Sequence, residues 1–176
     1  MNNYDNPSFY VTTLHEMDKS HGKELLISLM DYTDGDTLME DLLAEFPNED
    51  EPDLVYFDHS DMPDEFCQED YTSPQLNNLV EWANMDDYDR ELLAEHAVAT
   101  GYGIDSVSLD DAQEMFFCSE LENDKDYKTL GMYVIDEGLF GVDIPEKLHP
   151  YIDYESLGHD MAVDLVITPN GFVFYG

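Results

Sequence analysis

Carboxylates are the reactive group this sequence holds in quantity, 42 Asp and Glu against 6 Lys and Arg. The first chemistry to test is therefore what carboxylates do, which is to hold metals or move protons. The run nearest to a calcium loop is Asp31-Tyr32-Thr33-Asp34-Gly35-Asp36. Setting Gly35 at the invariant glycine of an EF-hand loop puts Met30 at the first ligand position and Asp41 at the last, and a thioether is no ligand for a hard cation. Acid-base couples cannot be singled out either, because carboxylates this dense form close pairs everywhere. The six histidines, at 15, 21, 59, 96, 149 and 159, never fall at the i, i+4 spacing of a metalloprotease helix. Gly101-Tyr102-Gly103 begins a dinucleotide fingerprint but has Ser106 where its third glycine belongs, and the chain has no phosphate loop or Gly-x-Ser-x-Gly elbow. Cys67 and Cys118 lack both zinc-site spacing and the density of a disulfide scaffold, and read as buried thiols. The expectation is a protein with no catalytic residue, no metal and no cofactor, hence not an enzyme.

The elements that must carry these acids follow from periodicity and punctuation. Ser8 to Leu14 is β-branched and aromatic and reads as a strand, with Lys23 to Met30 as a partner and Asp53 to His59 as a third. Between them Asp36 or Thr37 is expected to cap a helix, Thr37-x-x-Glu40 forming a capping box and Pro47 ending the run. The acidic, proline-bearing stretch 61–70 reads as a linker or long loop. Ser73-Pro74 opens a helix to Asn84, and Asp86 or Asp87 opens another that Gly101 ends. A helix from about Ser108, a strand at Phe116-Phe117-Cys118 and a helix from Asp124 to Gly138 come next. The chain ends in two β-rich runs flanking Pro169-Asn170-Gly171, a hairpin signal. The predicted class is α+β, with small sheets and short helices in an elongated chain of three small domains: 1–61 (α+β), 62–104 (helical) and 105–176 (α+β).

Net charge is −36, divided as −13, −10 and −13 over residues 1–60, 61–103 and 104–176. The acids are interleaved with Leu, Tyr, Phe and Val rather than gathered in a tail, so they belong to a folded surface. Such a surface cannot bind nucleic acid by neutralising phosphates. No apolar run is long enough to cross a membrane, and the opening MNNYDNPSFY has neither a basic region nor an apolar core, so a soluble cytoplasmic protein is expected. Duplex DNA carries about one charge per 1.7 Å of axis, which makes −36 equal to about 61 Å of duplex. A compact chain of this length has a radius of gyration of only about 16 Å. Spreading the charge along a rod lowers self-repulsion and approaches the linear density of DNA. The alternative is a haloadapted or generic acidic interaction domain whose acids serve only to solvate it.

Residues 132–160 carry the most regular pattern: large apolar side chains punctuated by Gly138, Gly141 and Pro145, which suits two or three tightly packed short helices. Glu137, Gly138, Gly141, Ile144 and Pro145, followed by Leu148, Tyr151-Ile152-Asp153-Tyr154, Gly158 and Asp160, resemble the motif block of ArdA-type antirestriction proteins of bacterial mobile elements. His159 stands where that family has a basic residue, and one extra residue falls at Val142-Asp143. The resemblance continues through Phe9-Tyr10-Val11, 58–63, Tyr71-Thr72-Ser73 and Leu76-Asn77, although no Trp follows Gly22.

The resemblance implies a DNA mimic that occupies the DNA-binding groove of type I restriction-modification enzymes, with no nucleic acid and no membrane as partner. The acids put forward for that surface are Asp61, Asp64, Glu65, Glu69, Asp70, Asp86, Asp87 and Asp89. It also implies a homodimer joined through the C-terminal part, placed here on Tyr133, Glu137, Gly138, Leu139, Phe140, Gly141, Val142 and Pro145. Leu139 to Val142 is an acid-free apolar run, as a contact between two bodies of charge −36 requires. The same residues could instead fill the domain core.

Overall fold

The computed structural model describes residues 4–47, 52–139 and 144–176. The chain divides into two compact units, Met1–Leu109 and Asp110–Gly176. Each holds a small three-stranded antiparallel sheet, so the α+β class is right.

In the first unit the strands are β1 (Ser8–Thr13), β2 (Leu25–Ser28) and β3 (Leu54–Ser60), in the order β2-β1-β3. The central β1 buries Phe9 and Val11 on its inner face, with Tyr10 on the outer. Between β1 and β2 lies the short helix α1 (Leu14–Met17). Helix α2 (Gly35–Ala44) is capped not by Asp36 or Thr37 but by Asp34, whose Oδ1 accepts the Thr37 N–H at 2.7 Å. The reason lies at Gly35, where an added Cβ would sit 2.3 Å from the Asn77 backbone nitrogen. Only glycine lets the first turn of α2 approach α3 (Ser73–Ala83) so closely, and its N–H donates to Asn77 Oδ1 at 2.6 Å. Thr72 and Gln75 form the capping box of α3. Asp86 caps α4 (Asp87–Thr100), and Gly101, where the helix was expected to end, stops it in the left-handed conformation at φ 72°.

Of the two readings of residues 61–70, linker or long loop, the loop is right: the stretch packs within the unit around the 3-10 turn Asp64–Phe66. Met62 and Phe66 are buried there, Phe66 packs edge-on to Trp82 at 5.1 Å, and the Tyr71 hydroxyl donates to the Phe66 carbonyl. Truncating a core Phe costs about 3–5 kcal/mol, so this stretch helps hold the unit together. Segments 1–61 and 62–104, expected as separate domains, accordingly lie in one compact unit: α2 rests on α3, and Tyr4 packs against Trp82.

The second unit runs α5 (Leu109–Met115), β4 (Phe116–Cys118), α6 (Tyr127–Asp136), α7 (Tyr154–Met161), β5 (Leu165–Ile167) and β6 (Val173–Tyr175). The expected hairpin forms, and β4 adds to its far side to give the order β4-β6-β5. Gly171 alone takes positive φ in the connection, 85°, with its N–H on the Thr168 carbonyl and the Thr168 N–H on the Phe172 carbonyl. This is the three-residue form of the hairpin, a turn closed by a left-handed glycine. Cys118, Leu121, Leu130, Val134 and Val173 make the core. Helices α6 and α7 meet at glycines: a Cβ on Gly131 would lie 2.0 Å from the Tyr154 carbonyl oxygen, and one on Gly158 would lie 1.8 Å from that of Tyr127. The segment before α7 is looser than expected. Residues Glu146–Tyr151 form a 3-10 turn that buries none of its side chains, and Tyr151 is 85% exposed.

Candidate functional site

The feature to build from is where the charge goes. Among the described acids Glu95 alone is buried, and every other carboxylate reaches solvent at least in part. The five lysines are exposed as well, but the arginine does the opposite. Arg90, the chain's single arginine, is 2% exposed. Its guanidinium donates to the carbonyls of Tyr4, Ala83 and Met85 at 3.0, 3.3 and 3.0 Å, and to Asp87 Oδ1 at 2.7 Å. Lys19 pairs with Glu16 and Lys23 with Glu45. The net charges are −24 for Met1–Leu109 and −12 for Asp110–Gly176.

Helix geometry explains how so many carboxylates are tolerated. Asp34, Asp86, Asp126 and Asp153 each cap a helix, accepting N–H groups that would otherwise be unpaired and meeting the positive end of the helix dipole. The Thr37 N–H holds the Asp34 carboxyl below its ordinary range, and the Ser156 N–H does the same for Asp153. Burial pushes Asp126 up, but its bonds from Thr129 and Glu122 outweigh this and leave it lowered. Glu91 goes the other way, raised by burial and by the nearby Glu95 charge.

The eight acids put forward from the sequence all fall in the first unit. Asp64, Glu69, Asp70, Asp86 and Asp87 are exposed, whereas Asp61, Glu65 and Asp89 are half-buried. Several also have local work. Asp61, at φ 56°, accepts the Asn6 N–H, Asp64 Oδ1 lies 3.0 Å from His59 Nε2, and Asp87 neutralises Arg90. Of the residues proposed for a dimer contact, Tyr133 is half-buried against Phe117, with its hydroxyl on the Phe117 carbonyl, so it serves the core of its own unit. Glu137, Gly138, Leu139 and Pro145 are exposed. Phe140, Gly141 and Val142 lie outside the described residues.

Sequence reasoning missed Asp58, a β-bulge residue at φ 48° beside a pocket on β3. It also missed Arg90 turning inward, where the only signal was its solitude among acids. Among the described residues no group of three or more His, Cys, Asp or Glu could hold a metal ion, and no helix is long and apolar enough to cross a membrane.

These features define a class: a small α+β protein that keeps its arginine inside and, among the described residues, leaves every carboxylate but Glu95 at least partly in solvent. The family model of antirestriction protein ArdA matches residues 9–174, and the chain belongs to the ArdA antirestriction family. No curated protein matches it. As an antirestriction protein it has a restriction-modification enzyme for a partner.

Proposed function

We propose that this antirestriction protein acts as a mimic of B-form DNA, presenting carboxylates where the enzyme's groove takes phosphates, and that its targets are type I restriction-modification enzymes. The observation that carries this reading is the sorting of charge, with every described acid but Glu95 at least partly solvent-facing and the sole arginine buried. A field of one sign over both units steers a basic groove toward the protein at a rate that salt suppresses. Many exposed acids then contribute a little each, about 0–1 kcal/mol per pair, with the eight named acids as the part of the surface we favour.

The test is competition with a duplex oligonucleotide for a type I methyltransferase core. The protein should displace the duplex at low micromolar concentration, less well as salt rises, and failure to displace it sinks the proposal. A haloadapted chain would lose stability in low salt, whereas the mimic should remain folded there. Mimicry also asks for charge spread along a rod, so small-angle scattering should give a radius of gyration above the roughly 16 Å of a compact chain this long.

Self-association belongs to the same reading. Leu139, Leu148, Tyr151 and Val163 are exposed apolar side chains on the second unit. They offer the apolar contact that two acidic bodies need across a Debye length of about 8 Å. Tyr151→Asp should leave the fold intact and sediment as a monomer where the parent sediments as a dimer. A folded variant that is still dimeric would place the contact elsewhere.

A further inference from the structure

Beside the bulged end of β3 the first unit holds a pocket of about 270 Å³, near the small end of ligand sites. Its floor is aromatic. Phe9 and Tyr71 lie stacked with centroids 6.0 Å apart, and Tyr56 meets both edge-on at 5.2 and 4.8 Å. Tyr56 is 3% exposed, and among the described residues its buried hydroxyl has no hydrogen-bond partner. The lining also holds two acids, Asp58 and Glu69, both exposed. Nearby His59, the lining's one basic group, is engaged with Asp64.

Asp58 is the telling residue. It is the extra residue of a β-bulge opposite Phe9 and Tyr10, held at φ 48°, where glycine would be less strained. Bulges re-aim side chains, and this one falls at a pocket-lining residue.

An aromatic lining with two exposed acids fits one kind of group. A guanidinium stacks on rings, is weakly hydrated and brings five N–H donors, whereas an ammonium is a strongly hydrated point charge and an anion would be repelled. We propose that this pocket receives one arginine side chain of the protein's basic partner. The proposal rests on the reading that the partner offers a DNA-binding surface, since such surfaces carry arginines for phosphate contacts.

The full chain would be titrated with ethylguanidinium and, at equal ionic strength, with ethylammonium and 1-propanol, following backbone amide shifts. Ethylguanidinium should give saturable shifts at residues 56–59 and 67–71, weakened several-fold in Asp58→Asn and in Glu69→Gln. Asn tolerates left-handed φ, so the bulge should survive. Equal shifts with ethylammonium, or saturation by propanol, would overturn the proposal. In a second arm the Asp58→Asn/Glu69→Gln double variant should lose at least about tenfold in displacing duplex DNA from the enzyme. Asp18→Asn/Asp31→Asn, two exposed acids away from the pocket, should lose less than about threefold. Equal losses would remove the pocket while leaving mimicry standing. If the parent displaces no DNA, mimicry falls, and the guanidinium titration alone decides the pocket.

Discussion

Substituting Gly131 or Gly158 with alanine tests the crossing on which the second unit is built. Cβ atoms do not approach other atoms within 3.0 Å, yet the added carbons would sit 2.0 and 1.8 Å from carbonyl oxygens of the facing helix, so α6 and α7 would have to part by about 1 Å. Overpacking of this kind costs about 1–3 kcal/mol. Helix propensity pulls the other way, because alanine at a helical glycine gains about 1 kcal/mol. The crossing should win, because the obstacle is backbone and cannot swing aside. For a unit of this size each 1 kcal/mol lost lowers Tm by about 4–8 °C. The assay is thermal unfolding by far-UV circular dichroism. Trp82, the only tryptophan, lies in Met1–Leu109 and serves as an internal control by fluorescence. Both glycines are relieved by the same separation, so the double variant should cost less than the sum of the singles. A Gly131→Ala protein with a raised Tm would refute the close crossing, because that is the sign propensity alone predicts.

Arg90→Met leaves Asp87 unpaired and the carbonyls of Tyr4 and Met85 without their donor. Asp87 is exposed and stays solvated, so the cost is that of the carbonyls, about 1–3 kcal/mol for each one left unsatisfied, in urea unfolding followed by Trp82 fluorescence, and a loss under 1 kcal/mol would contradict the burial. Burial raises the phenols of Tyr4, Tyr56 and Tyr71, that of Tyr4 further because of Glu95. Their stabilisation is therefore complete below pH 10 and falls as pH rises past it, by about 1.4 kcal/mol per pH unit for each tyrosine. Tyr56→Phe should lower the measured slope by about 1.4 kcal/mol per pH unit, and a flat parent profile between pH 10 and 11.5 would disprove it. Burial, reinforced by Asp64 and Glu65, pushes the Cys67 thiol up to about 12, and burial raises Cys118 to about 11. Both should react slowly with a thiol reagent at pH 8 until urea is added.

Local signals were legible where one residue decides a backbone state. Asp86 and Gly101 bracket α4 because a cap and a left-handed stop are single-residue events, and Gly171 marks the hairpin for the same reason. Residues 61–70 hid their packing because Met62 and Phe66 are scattered among five acids and Pro63. Burial there has no period to read and depends on where Trp82 sits in three dimensions. The α2 start was misplaced because Asp34, Asp36 and Thr37 are all good caps, and the choice is made by contact between Gly35 and Asn77, far apart in sequence. The Asp58 bulge left no composition signal, since Asp is an ordinary surface residue in so acidic a chain. The outward acids were legible as a class from charge alone; which of them share a pocket was not.

The inward turn of Arg90 also bears on how the protein meets a protease. Trypsin cuts after lysine and arginine, and from Glu24 to Asp124 this chain offers it Arg90 alone. That side chain is folded away with its guanidinium on carbonyls. A native digest should therefore leave the stretch between Lys23 and Lys125 as one long fragment. Appearance of the cut at Arg90 would report opening of the first unit.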